Sequence, residues 1–151
     1  MAAAVNTAAR IQVLHTVLHM QALAAHLGLN STDLQCLNLL SLNGSMTPSR
    51  LAEAMTISKG GATTAMVDRL EKAGYVRRTR DPRDRRQVHI EIVDGEPFRR
   101  LAQHFQPFAD TLTNLLASYT DDQIALILEF TTRSNDAIRH LRPGSPTSYA
   151  G

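Results

Sequence analysis

The chain has 151 residues, 43% hydrophobic and 20% charged, with a formal net charge of +2 and one cysteine, Cys36. That length suffices to bury about two-thirds of the unfolded surface in one domain or two small lobes. A single cysteine excludes an intramolecular disulfide framework, no apolar run of about 18 residues is present to span a membrane, and the N-terminus lacks the basic start and unbroken apolar run of a signal peptide. A soluble, cytoplasmic protein is expected.

Residues 5–26 read as a first helix, because Ile11, Leu14, Leu18, Ala22 and Ala25 recur at steps of three and four. Gly28 and Asn30 end it. A second helix starts after "NST", with Thr32 and Gln35 in a T-x-x-Q capping box. Leu34, Leu37 and Leu40 supply its apolar stripe, and "NGS" at 43–45 ends it. Thr47 caps a third, two-turn helix with Pro48 at its first position, where a missing N–H costs nothing. Ser58 caps a fourth, "KGGATTAMVDRLEKA", closed by Gly74. Two glycines in its first turn lower helix propensity by about 1 kcal/mol each relative to alanine. Such a cost suits a place where another surface comes close.

From Tyr75 the period changes to two. "YVRRTR" and "QVHIEIV" are β-branched and alternating, with Val88, Ile90 and Ile92 on one face, and Asp81-Pro82 marks the turn between them. "DGEP" at 94–97 then opens a long helix of about 20 residues carrying Phe98, Leu101, Phe105, Phe108, Leu112 and Leu115. Pro107 should kink it. A last helix begins with Thr120 and Gln123 as another capping box. Its face holds Ile124, Ile127, Leu128, Thr131 and Ile138, and a Pro/Gly/Ser-rich tail expected to be disordered follows.

The fold class expected is mainly α with a small β-hairpin wing: a winged helix-turn-helix core (31–93) flanked by dimerisation helices at 1–30 and 94–141, with a tail at 142–151. The terminal helices have too few partners within one chain to cover their apolar faces, so a homodimer is the economical reading. Eight of the sixteen Lys and Arg lie between Arg69 and Arg86, six of them in "RRTRDPRDRRQ". On this fold they form one arm and the tip of the hairpin, where arginines suit the narrow minor groove of A·T-rich DNA. Ser58, Lys59, Thr63 and Thr64, early in the fourth helix, suit major-groove edges or phosphates. The partner expected is double-stranded DNA, and no membrane.

These residues carry a specific resemblance. "LAEAM", "VDRLEKAGYVRR" and "DPRDRR" followed by "VHIEIV", within 51–93, resemble the core of the MarR family of bacterial transcriptional regulators. The flanking helices match in number and order, extending the likeness to residues 5–140. The resemblance implies that helix 58–73 reads DNA and that Arg83 or Arg85 enters the minor groove. It also implies that Asp84 braces the wing by an ion pair with a neighbouring arginine, and that Arg86 is the motif's last arginine. Arg69 either contacts phosphate or ties the helix to the wing. The family further implies a pseudo-palindromic operator, repression, and release by a small phenolic or aromatic ligand, whose pocket by analogy would include His15, His19, Met20 and Leu40.

Other readings remain beside this one. His15 and His19 share a helical face with spacing that suits a shared metal, His26 lies further along, and His104 sits on a helix able to come near; solvent-facing or interface histidines are commoner, so no metal and no cofactor is expected. Cys36 reads as an inert thiol beside an apolar stripe rather than a redox switch. A metal- or redox-responsive regulator of the same fold, or a winged-helix protein-interaction module, are the alternatives. No phosphate-binding glycine loop, H-E-x-x-H or G-x-S-x-G occurs, so an enzyme is not expected.

Overall fold

A computed structural model describes residues 1–57, 60–81, 84, 86–139 and 141. The element order is α1 (Ala2–His26), α2 (Ser31–Asn43), α3 (Pro48–Met55), α4 (Gly61–Lys72), β1 (Val76–Arg80), β2 (Val88–Ile92), α5 (Glu96–Leu116) and α6 (Asp121–Arg139). The expected class is therefore the observed one: helices plus one antiparallel hairpin, in which Val76 pairs with Ile92 and Arg80 with Val88. The chain divides into two compact units, residues 1–105 and 106–151.

In the first unit the core gathers Leu34, Leu37 and Leu40 from α2, Leu51 from α3, and Met66, Val67 and Leu70 from α4. Val76 and Ile90 of the hairpin, and Leu23 and Leu101 of the long helices, complete it. Ile90 is fully buried, while Val88 and Ile92 pack partly against the same core, as the alternation in β2 requires. The loop between α2 and α3 joins the sheet edge: Met46 and Ile90 exchange both backbone hydrogen bonds, at 3.1 and 2.8 Å. That bridge anchors the hairpin to the helical core.

Several helix ends differ from the sequence reading. The α2 capping box is made by Asn30 and Asp33, not Thr32 and Gln35. Asn30 Oδ1 accepts from the Asp33 N–H at 2.8 Å, and Asp33 Oδ2 accepts from the Asn30 N–H at 3.3 Å. Asparagine is at least as good an N-cap as threonine. Helix α4 begins at Gly61 with Gly60 as its N-cap (φ 114°), a conformation reserved for glycine. The expected cap at Ser58 lies outside the described residues. The remaining boundaries follow the sequence closely. Thr47 Oγ1 accepts from the Arg50 N–H, and Thr120 and Gln123 bond reciprocally at the head of α6. Helix α5 runs through Pro107, whose missing N–H leaves the Gln103 carbonyl without its helical donor. The expected disordered tail lies outside the described residues.

Candidate nucleic-acid interface

Helix α4 is seated by Thr63, Met66, Val67 and Leu70, all buried, at steps of three and four. The opposite face follows by geometry: Gly61, Ala62, Thr64, Ala65, Asp68, Arg69 and Lys72 are exposed. Its first two turns carry short side chains, so its backbone is open to a large surface.

The hairpin lies directly after α4 and is stapled to it. The Arg78 guanidinium pairs with both Asp68 and Glu71 of α4, and Glu71 Oε1 also accepts from the Arg78 N–H at 3.0 Å. Burial works against the charged guanidinium, but the two carboxylates outweigh it and hold Arg78 above its ordinary pKa. Arg77 pairs across the hairpin with Glu91, its partner in the strand register. The tip is organised by two aspartates. Asp81 Oδ1 accepts from the Asp84 N–H at 3.2 Å, and Asp84 Oδ1 accepts from the Arg86 N–H at 3.0 Å. The Asp81 N–H donates to the Gln87 carbonyl at 3.0 Å, closing the loop. Short acidic side chains bonding to backbone N–H groups are what fix an irregular turn.

A short helix, a tight connection, a second helix seated on the core with its small-residue face outward, and a stapled basic hairpin make up a winged helix-turn-helix. The profile of the MarR family matches residues 29–88. The HTH-type transcriptional regulator YcgE of Bacillus subtilis is 40% identical over 121 residues, covering 80% of this chain and 77% of that relative. The chain belongs to the MarR family. Solved folds agree. A MarR family protein from Bacillus stearothermophilus superposes with a TM-score of 0.70 at 20% identity, covering 91% of this chain and 95% of that one. The regulator BldR from Sulfolobus solfataricus gives 0.55 at 25% identity, with 89% and 94% covered. This MarR-family chain is accordingly a DNA-binding transcriptional regulator and not an enzyme.

Within the MarR frame the sequence-derived site residues separate into groups. Thr64 and Arg86 are exposed, on the outer part of α4 and at the wing tip. Ser58, Lys59, Arg83 and Arg85 lie outside the described residues. Thr63 is corrected: at 3% exposure it belongs to the seat of α4, and its side chain is not available to DNA. Its β-hydroxyl at the start of a helix looks like a groove contact until the helix phase is fixed by Met66, Val67 and Leu70. Of the two roles expected of Arg69, the tie is present but runs to a different element. Arg69 Nη2 donates to Asp33 Oδ1 at 2.7 Å, and its Nε reaches Asp33 Oδ2 at 3.5 Å, so it ties α4 to α2 rather than to the wing. Asp84 holds the turn through backbone N–H groups; the arginines flanking it, Arg83 and Arg85, are outside the described residues.

The structure adds candidates that the sequence reading left out. Arg50 on α3, Lys72 at the end of α4 and Arg80 at the end of β1 are exposed, and with Arg86 they form no ion pair among the described residues. The signal for Arg50 was available in its place on the first helix of the helix-turn-helix, the one that crosses the DNA backbone. The two arginines of the run nearest α4, Arg77 and Arg78, are neutralised within the chain.

A second feature lies between α1 and α2. A cavity of about 200 Å³ is lined by Thr16, Val17, Met20, Gln21, Ser31, Leu34, Gln35 and Asn38. Of the residues expected to line a ligand pocket, Met20 is here. His15 and His19 are exposed and do not line it, and Leu40 is buried at 2% within the core. The histidine brought to His104 is His26, with ring centroids 5.0 Å apart. Among the described residues no three of His, Cys, Asp and Glu gather as a metal-binding group, and no helix is long and apolar enough to cross a membrane. Cys36 is fully buried; burial first, then the Asp33 charge, push its thiol up to about 12.

Proposed function

We propose that the protein is a homodimeric repressor that binds a pseudo-palindromic operator, with α4 in the major groove and the wing in the flanking minor groove, and that a small molecule releases it. The observation that carries this reading is the disposition of cations that form no ion pair among the described residues. Arg50, Arg80 and Arg86 remain exposed while the neighbouring Arg77 and Arg78 are paired off internally. An arginine without a carboxylate partner on a protein that must bind DNA is a phosphate or groove contact in waiting.

Dimerisation is supported by what α1 and α6 leave uncovered. Val13, Leu14, Val17 and Leu18 on α1, and Leu126, Leu128 and Phe130 on α6, each keep roughly half or more of their surface. Apolar side chains in such numbers on one helix mark a surface meant for association. Two copies related by a two-fold axis present two α4 helices to successive major grooves, about one helical turn apart.

Release by a ligand is supported by the α1–α2 cavity, whose lining is mixed: Val17, Met20 and Leu34 for an aromatic or aliphatic body, and Thr16, Gln21, Ser31, Gln35 and Asn38 for its polar groups. Redox release through Cys36 is disfavoured, because a buried thiol with so high a pKa supplies almost no thiolate at neutral pH.

The test is a salt titration of binding to a duplex selected from a random pool, with a scrambled duplex alongside. Tight binding to the selected duplex with a steep salt slope is expected. Equal weak binding to both duplexes sinks the operator reading and moves the protein-interaction alternative to first place.

A further inference from the structure

We propose that Asp33 and Arg69 form a positioning pair that sets the pitch of the recognition helix, so that the specificity of DNA binding, rather than its electrostatic strength, depends on them. This rests on the reading of α4 as the helix that enters the groove.

Asp33 is a carboxylate at 4% exposure on the inner side of α2. Its side chain holds other parts of the protein in place. Oδ2 closes the capping box on the Asn30 N–H, and the two oxygens together receive the Arg69 guanidinium side-on. A fork-to-fork pair fixes angle as well as distance, which a point-charge contact does not. Arg69 is raised from its ordinary pKa by its hydrogen bond to Asp33, so it is fully charged, and that charge is answered within the protein.

The place of the pair along α4 gives it leverage. Arg69 lies in the C-terminal half of the helix, two turns beyond its first residue, and the small residues Gly61, Ala62, Thr64 and Ala65 at that end face outward. At 1.5 Å rise per residue the lever is about 10 Å long, so a tilt of 10° at Arg69 displaces the reading end by about 2 Å. Displacements of that size break base-edge hydrogen bonds and leave flexible phosphate contacts able to adapt. On the other side of α4, Asp68 and Glu71 hold Arg78 of the wing. The sequence D-R-L-E at 68–71 thus braces the recognition helix from two directions, with Leu70 fully buried between.

A phosphate contact by Arg69 and a positioning role make opposite predictions. The experiment compares wild type, Arg69→Gln, Asp33→Asn and the double variant on the selected operator and on the scrambled duplex, over a range of salt. A positioning pair predicts that each single variant loses about ten-fold on the operator, while scrambled-duplex affinity and salt slope stay unchanged. The double variant is then no worse than the singles, because the same pair is broken in all three. A phosphate contact predicts that Arg69→Gln weakens both duplexes alike and lowers the salt slope by about one, with Asp33→Asn neutral. That result overturns the proposal, and so does an unchanged operator preference in both singles. Asp33→Asn keeps an oxygen for the Asn30 N–H. Should it still lower the melting temperature so far that it is unfolded at the assay temperature, Arg69→Lys decides instead, since it keeps the charge and loses the fork. Loss of operator preference at unchanged salt slope supports positioning, and retained preference refutes it. If wild type shows no preference for any selected duplex, the reading of α4 itself fails, which is a separate outcome.

Discussion

At the scale of single residues, similar arginines have unlike roles because of what lies within hydrogen-bond reach. Arg77 and Arg78 each meet a carboxylate, whereas Arg80 and Arg86 meet none among the described residues. We predict that Arg80→Ala and Arg86→Ala each lower the magnitude of the salt slope of DNA binding by about one, as loss of one phosphate neutralisation requires. Arg77→Ala should leave that slope unchanged. Titrations of the three variants on one duplex measure the difference, and equal slopes for all three would place Arg77 at the DNA as well. Cys36 gives a second prediction. Its thiol stands at about 12 in the fold against an ordinary value of 9.0, so the folded state holds this proton more tightly than the unfolded chain. Stability from the neutral thiol is complete below pH 9 and is lost as pH rises towards 12, with a slope of at most about 1.4 kcal/mol per pH unit. Chemical denaturation at pH 8 and pH 10.5 should show a steeper fall for wild type than for Cys36→Ala, although that variant starts less stable because it opens a small cavity. Parallel falls would mean that the thiol does not contribute.

At the scale of elements, the adjacent glycines at the start of α4 differ in what they answer to. Gly60 stands at φ 114°, where any side chain is strained, so Gly60→Ala should destabilise the fold by about 1 kcal/mol or more. Gly61 is on helical backbone with nothing within 4 Å of where its Cβ would stand. Gly61→Ala should therefore raise stability, by up to about 1 kcal/mol, and yet weaken operator binding by putting a methyl group between the helix and the groove. Melting curves and operator titrations on the same samples test both halves, and undiminished affinity in Gly61→Ala would mean that this end of α4 does not approach DNA closely. The elements themselves were legible from periodicity, from caps such as Thr47 and Thr120, and from the change to period two at Tyr75. What the sequence left open was phase and partner. Thr32 and Asn30 both qualify as caps, and the choice follows Asp33, whose carboxylate closes the box on the Asn30 N–H. Thr63 and Thr64 look alike in sequence, and only the packing of Met66, Val67 and Leu70 sends one inward and one outward. The partner of Arg69 is 36 residues away in sequence and carries no local signal.

At the scale of the whole molecule, the chain leaves apolar helix surface uncovered. Its core is gathered in the first compact unit, while α6 contributes no buried residue and much of α1 is uncovered. An amphipathic helix contributes stability only when its apolar face meets another. For α1 the side chains left out are Val5, Ile11, Val13, Leu14, Val17 and Leu18. They spread around the helix rather than along one narrow stripe, so one neighbour on one side does not satisfy them. A second copy would supply more surface of the same kind, and closed two-fold symmetry would stop further growth. We predict a dimer in solution by light scattering coupled to size exclusion. Leu14→Glu combined with Leu18→Glu should shift the mass towards the monomer, since burying two carboxylates at an apolar contact without partners is costly. Winged-helix content should survive, because neither residue belongs to the core around Leu37, Leu51 and Leu70. Operator affinity should fall by about 10²- to 10⁴-fold, the advantage that linkage gives a second binding site, while contact with a single half-site persists. A variant that becomes monomeric with undiminished operator affinity would show that one copy reads the operator alone. A variant that stays dimeric would move the dimer contact away from this part of α1.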